Sequence, residues 1–356
     1  MPKTGMIAGV ILVIAIIAVA AAYVATQPGG TTVTTTTQTT VITTTTSQPT
    51  KQWKIALLLP DVITDLTWNG PAYQAVSRLV AEGVADKFSY TEQVAVPDAV
   101  RIASGYAAEG YDLIIQHGSQ FVDTTREAAN KYPNSYFVTT ALLAPDFPSN
   151  ASVVWSYLEE AYYLLGILAG RMTKTSVVGT LCPLEVPGII EWSKGFKAGV
   201  LSVNPNATVL YAVTGSFMDA TLGKEAAMAQ IEAGADFLAP MTDGPVLGAI
   251  MAAQETGKAY VFGCEGDTHS INPNIIVTSA IWDSYSHYKT IMLDIKAGKF
   301  KSMYPADLMT GGVTLTPFYA LKDQIPQSVL DEMEQARQDI ISGKINVKEL
   351  VQSITL

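Results

Sequence analysis

The sequence predicts an α/β protein of two lobes, each a doubly wound parallel sheet, behind one N-terminal apolar segment. Three observations predict it. From residue 53 onward, short apolar runs alternate with stretches of helical periodicity, the pattern of buried parallel strands covered by helices on both faces. The alternation restarts near residue 177, so two similar units stand in tandem. Residues 6–24 form a nineteen-residue apolar stretch, long enough to cross a bilayer core of about 30 Å.

Residues 1–28 read as a membrane anchor or a signal segment. Lys3 is the one charge in the first fifty residues, and a positive flank stays on the cytoplasmic side. The globular part is therefore expected outside the cell, at the membrane. Ala20, Ala22 and Ala25 also suit signal cleavage, and both fates stay open. Residues 29–50 are dominated by Thr, cannot bury a core and read as an extracellular stalk. Two Asn-x-Ser/Thr triplets, at Asn150 and Asn206, fit an exterior location.

In the globular part, the run 54–59 reads as a buried strand ended by Pro60 and Asp61, and 70–83 as a helix through Ala72, Tyr73, Val76, Leu79 and Val80. Strands are expected at 88–96, 112–116, 136–140 and 153–156, with helices at 97–108 and 123–131. The second unit repeats this: strands at 177–181, 209–213, 237–240 and 260–263, helices at 190–203, 223–233 and 246–256. A further strand, 274–278, precedes helices at 284–297 and 328–342. Residues 51–158 with 276–300 are expected to form one lobe, and 159–275 with 301–356 the other. Ligands of open parallel sheets sit beyond the carboxyl ends of the strands. The loops 60–69, 117–123, 182–188, 215–219, 241–244 and 264–269 are therefore where a site is expected, with Gly118 and Thr242 among the candidates.

Composition excludes several classes. Removing Lys3 leaves 21 basic against 32 acidic residues, a net −11, which repels phosphate backbones and argues against nucleic acid. The two cysteines and three histidines lack metal-ligand spacing, and no P-loop, G-x-S-x-G or G-x-G-x-x-G stretch occurs. No metal or cofactor is expected. Cys182 and Cys264 fall at the ends of non-adjacent strands, so two free, buried thiols are expected rather than a disulfide.

Several stretches resemble one family. They are Asp65-Leu66-Thr67-Trp68-Asn69, Glu160-Ala161-Tyr162-Tyr163-Leu164-Leu165-Gly166, Gly195-Phe196-Lys197-Ala198-Gly199, Gly215-Ser216-Phe217-Met218-Asp219 with Gly223-Lys224, Gly234-Ala235-Asp236 and Thr278-Ser279. In this order they resemble the basic membrane protein family of ABC-transporter substrate-binding proteins, which includes purine nucleoside receptors. The resemblance implies a type I periplasmic-binding-protein-like fold, a purine nucleoside or purine base held between lobes, and permease subunits as partners. It implies Trp68 as a ring stacked on the base, Asn69 as a base reader, Asp65 in the same motif and Asp123 as an acceptor at the base edge. Phe217 would be a second aromatic face, and Glu265 an anchor for sugar hydroxyls. Residue-level alternatives stand beside these: a core or lid aromatic for Trp68, helix caps for Asn69 and Asp123, wall packing for Phe217. Trp282 fills a place where the family often has lysine. It favours a flat, uncharged ligand such as a free base, or packs at the hinge.

The expected function is thus a non-enzymatic solute-binding component of an ABC importer. The competing readings are a ligand-sensing module, a two-lobed binder of another solute such as a sugar, and a nucleoside hydrolase using Glu265 and Asp267.

Overall fold

A computed structural model describes residues 51–141 and 146–356. The expected anchor or signal segment (1–28) and stalk (29–50) lie outside the described residues. Among the described residues, no helix is long and apolar enough to cross a membrane.

The first sheet contains β1 (Lys54–Leu58), β2 (Lys87–Thr91), β3 (Leu113–Gln116), β4 (Tyr136–Ala141), β5 (Ala151–Ser156) and β11 (Met303–Ala306), in the order β11-β5-β4-β3-β1-β2. The second contains β6 (Val177–Cys182), β7 (Thr208–Val213), β8 (Phe237–Pro240), β9 (Tyr260–Glu265), β10 (Ile276–Trp282) and β12 (Val313–Leu315), in the order β12-β10-β9-β8-β6-β7. Each order is the same permutation, and every pairing is parallel except β10 with β12. This is a two-lobed, periplasmic-binding-protein-like architecture.

Side-chain alternation along β1 explains its unbroken apolar run. Ile55 and Leu57, with Leu59 beyond the strand, pack beneath α1 (Asn69–Ala81) and α8 (Ser284–Lys296). Ala56 and Leu58 face the opposite layer, with α2 (Val96–Ala108) and α3 (Val122–Lys131). A strand buried on both faces has no polar side to show. The second lobe has one large core beneath α4 (Glu159–Met172), α5 (Pro187–Val203), α6 (Ala220–Glu232), α7 (Asp243–Thr256), α9 (Gln327–Ile341) and α10 (Val347–Ser353).

Two glycine-bearing motifs are packing devices. A Cβ on Gly199 would lie 2.0 Å from the Tyr163 carbonyl, and one on Gly166 2.2 Å from that of Phe196. Helices α4 and α5 therefore touch backbone to backbone.

The lobe boundaries differ from the expectation. Residues 276–300 were expected in the first lobe, yet β10 hydrogen-bonds to β9 of the second sheet. Residues 301–356 were expected in the second, yet β11 pairs with β5 of the first. The chain thus crosses between lobes at 156–159, 282–284 and 306–313. An apolar run declares a strand but not its sheet, and β11 and β12 are too short for a periodicity to show. The strand expected at 88–96 ends at Thr91, because the chain turns at Gln93 (φ +53°) before α2.

Asn150 cannot serve as a glycan acceptor in this fold. Its buried amide donates to the carbonyls of Ala129, Tyr132 and Ser135. Asn206 is exposed. Both cysteines are free and buried, on β6 and β9, with β8 between them.

Candidate functional site

The lobes meet through the loops after β1 and β9. A Cβ on Gly266 would stand 2.1 Å from the Leu66 carbonyl, so the two backbones are in direct contact. Beside this contact lies a cavity of about 460 Å³ lined from the first lobe by Asp65 and Arg78 and from the second by Glu265, Asp267 and Trp282, among others.

Asp65 shapes the first-lobe wall. Its carboxylate accepts from the backbone N–H groups of Trp68, Asn69 and Gly70 and from Asn69 Nδ2. Those N–H groups open α1 and have no partner within the helix. Asp65 thus does the capping that was weighed for Asn69. Asn69 is 3% exposed, and its Oδ1 has no partner.

Trp68 is half-buried. Its indole stacks on the His117 imidazole (centroids 4.1 Å apart, planes at 25°) and meets the edge of Trp282 at 5.1 Å. His117 Nε2 lies 3.2 Å from the Trp68 carbonyl and Nδ1 2.7 Å from the Tyr288 hydroxyl. A carbonyl only accepts, so Nε2 carries the proton and Tyr288 donates to Nδ1. Burial depresses the His117 pKa to about 4, against the Trp68 hydrogen bond and the Asp65 charge, and burial with His117 nearby depresses His287 to about 3. Neither His287 nitrogen has a partner. Trp282 ends β10 in the second sheet, yet its side chain packs in the first lobe's core and its Nε1 is unpartnered.

From the second lobe, Glu265 ends β9, and Thr242 lies between the neighbouring strand β8 and α7. Both have left-handed backbones, at φ +61° and +63°, a conformation that costs a non-glycine residue about 1–3 kcal/mol. Thr242 Oγ1 is buried and unpartnered. Burial, with the negative charges of Asp243 and Asp65, holds the Glu265 carboxyl well above the usual range. Burial and the Asp65 and Asp61 charges raise Asp243 to about 6, against its own backbone hydrogen bond.

The structure therefore brings Asp65, Trp68, Asn69, Glu265 and Trp282 together. Gly118 follows His117, with φ +146° and a carbonyl that accepts from Thr139 Oγ1. Phe217 stands exposed after β7, its carbonyl accepting from the Gly244 N–H. Asp123 is not among the residues lining the cavity. Its side chain is 89% exposed in the first turn of α3 and pairs with Arg126 at 2.5 Å. It is not that helix's N-cap, a place taken by Phe121. His117, Asp243, His287 and Tyr288 were not singled out from sequence. The signal available for the first two was a polar residue directly following an apolar strand. For His287 and Tyr288, inside a helix, no signal existed. Among the described residues, no group of three His, Cys, Asp or Glu is arranged to hold a metal ion.

A family model described as ABC transporter substrate-binding protein PnrA-like matches residues 52–351. A nucleoside-binding protein of an ABC transporter from Lactococcus lactis is 27% identical over 306 residues, covering 80% of this chain and 86% of that protein. A purine-binding protein of Brucella abortus is 29% identical over 287 residues, covering 79% of each. The structure of an ABC transporter solute-binding protein from Conexibacter woesei superposes with a TM-score of 0.70 at 25% identity, covering 83% of this chain and 98% of that one.

Proposed function

The chain belongs to the PnrA-like family of ABC transporter substrate-binding proteins, and we propose that it holds a purine nucleoside or free purine base in the cleft between its lobes. The observation that carries this reading is the half-buried Trp68 indole at the lobe interface. One face rests on His117, and Trp282 lies nearly perpendicular to it, so a flat ligand has a rigid ring to stack on. Such a stack is worth about 1–3 kcal/mol per base. Phe217 supplies an opposing aromatic when the lobes close, and the free Oδ1 of Asn69 accepts a hydrogen bond from the base edge.

The relatives support the same reading, since one is named for nucleosides and another for purines. Binding needs no bond to be made or broken, so the protein acts as a receptor and not an enzyme. It delivers its ligand to separate permease subunits. The apolar segment at 6–24 keeps it at the outer face of the cell membrane.

A thermal-shift screen of the full chain against purine and pyrimidine bases, nucleosides and sugars tests the reading. A ligand bound only by the folded state raises the melting temperature by mass action. A rise with purines or their nucleosides supports it, and a rise with sugars alone would overturn it.

A further inference from the structure

Among the described residues, four strands stand at sheet edges: β2 and β11 in the first sheet, β7 and β12 in the second. An edge strand presents a row of unpaired N–H and C=O groups, on which another chain can add a strand. Three of the four carry a feature that hinders this. β12 has three residues, β11 has four with Pro305 among them, and β2 carries the exposed Lys87. β7 has no such feature. It runs for six residues, Thr208–Val213, without charge, proline or glycine, about 20 Å of strand. Its residues are β-branched, aliphatic or aromatic, and Val213 is 43% exposed. That is the composition of segments that stack strand on strand. Residues 198–218 hold no Asp, Glu, Lys or Arg, in a chain of net charge −10. β7 pairs with β6 on one side, and among the described residues no main-chain hydrogen bond reaches its other side.

An acceptor group stands just ahead of that strand. The Asn204 carbonyl accepts from the Ala207 N–H at 3.1 Å, closing a β-turn with Pro205 at its second position and Asn206 at its third. Asn206 and Thr208 are both exposed, and among the described residues no hydrogen bond holds either side chain. Asn206-Ala207-Thr208 is an acceptor triplet for an N-linked glycan. The triplet at Asn150 has its amide buried against three carbonyls, so of the two it is Asn206 that a transferase can reach.

We propose that Asn206 carries an N-linked saccharide and that this glycan covers the open edge of β7, keeping copies of the chain from pairing edge to edge. This goes beyond the solute-binding reading and rests only on the exterior placement of the globular part. The co-reactant is a saccharide activated on a lipid pyrophosphate. Asn206 Nδ2 attacks its anomeric carbon and a C–N bond forms. The bond from that carbon to the pyrophosphate oxygen breaks, its electron pair leaves on the pyrophosphate, and Nδ2 gives up one proton to a base. Nothing is oxidised or reduced. Joined two residues before β7, the glycan is bulky and solubilising. It excludes a second strand and solvates the free N–H and C=O groups. It does for β7 what lysine and proline do for the other edges.

Peptide mass spectrometry of the full chain from the membranes of its source cells tests the modification. The tryptic peptide 198–224 holds Asn206, and 132–171 holds Asn150. Saccharide mass is expected on the first and not on the second, and should vanish in Asn206→Gln and in Thr208→Ala. Sedimentation of the full chain in detergent tests the shielding. Wild type should keep one mass as concentration rises, while both variants shift towards dimer and larger species. Adding Val213→Lys to Thr208→Ala should restore the single mass. That separates edge pairing from association through the apolar segment 6–24, which every variant shares. Protease treatment of intact cells reports the exterior placement separately. Release of the globular part with Asn206 unmodified overturns the inference and leaves that placement standing. Protection of the whole chain until the membrane is broken overturns both. A glycan at Asn206 with variants that sediment as wild type overturns the shielding, and a glycan on Asn150 overturns the burial that sets the two triplets apart.

Discussion

The Trp68 indole lies on the His117 imidazole, and the same imidazole donates from Nε2 to the Trp68 backbone carbonyl. Ring and main chain of one residue are thus fixed by one partner, which is itself held by Tyr288 on α8. Removing the Tyr288 hydroxyl leaves Nδ1 without its donor. Tyr288→Phe is expected to cost about 1 kcal/mol of stability, the net worth of one hydrogen bond, and to weaken ligand binding through a looser Trp68. Urea unfolding with a parallel titration checks both. Unchanged binding would show that Trp68 needs no support from α8.

The lobes touch where Gly266 approaches Leu66. A methyl at Gly266 meets the Leu66 carbonyl at 2.1 Å, which neither backbone can relieve without separating the lobes. Gly266→Ala should leave the melting temperature within a few degrees and weaken ligand binding by roughly tenfold or more, since an overpacked contact costs about 1–3 kcal/mol. Small-angle scattering on the liganded protein should show a wider molecule than wild type. Wild-type affinity in this variant would mean that the contact is not part of the bound state.

The pH response has an internal probe at Glu159, the first residue of α4. Burial raises its pKa to about 8, with Glu191 and Glu160 adding to the rise and its own backbone hydrogen bond and Lys348 opposing it. A raised folded-state pKa means stability that is full below about 4.5 and lost as pH climbs through about 8. Glu159→Gln keeps the neutral shape at every pH. Its stability should match wild type near pH 4–5 and exceed it increasingly up to about pH 8, by up to a few kcal/mol, read as a higher melting temperature. Parallel curves would mean that Glu159 is not buried as described. His117 and His287 act in the opposite direction, because their folded pKa values are depressed. Their contribution is present above about 6.5 and is lost as pH falls towards 4 and 3.

Helices α4 and α5 are held by glycine contacts. Gly199→Ala places a methyl 2.0 Å from the Tyr163 carbonyl and should destabilise the second lobe by about 1–3 kcal/mol, read as a lower urea midpoint. Since Gly199 does not line the interlobe cavity, ligand affinity should hold. A stable variant would show that the helices separate easily.

These contacts explain what the sequence could and could not reveal. The alternation of apolar runs with helical periods declared both sheets, because a strand such as β1 buries both faces and reads as unbroken apolarity. It did not declare the sheet to which β10 belongs, since Trp282 has its backbone in one lobe and its side chain in the other. The motifs behind the resemblance mark structure as much as site. Ser216 and Asp219 make a turn and the cap of α6, Thr278 and Ser279 tie β10 to Thr316, and Gly166 and Gly199 let α4 touch α5. Asp65 and Trp68 lie in the loop between β1 and α1, and Glu265 is the last residue of β9, places that the apolar runs mark out in the sequence. Asp123 stands in the first turn of α3, where its side chain is exposed and paired with Arg126, an orientation that spacing alone does not reveal. His287 and Tyr288 face the site from inside a helix, where histidine and tyrosine look like any partly apolar stripe.

The central claim is that the ligand stacks on Trp68, and titrating one purine nucleoside into wild type and Trp68→Ala tests it most directly. Loss of a base-stacking ring costs about 1–3 kcal/mol. The account predicts affinity weaker by roughly five- to 150-fold in Trp68→Ala, with Trp68→Phe recovering most of it. Equal affinity in wild type and Trp68→Ala would contradict the account.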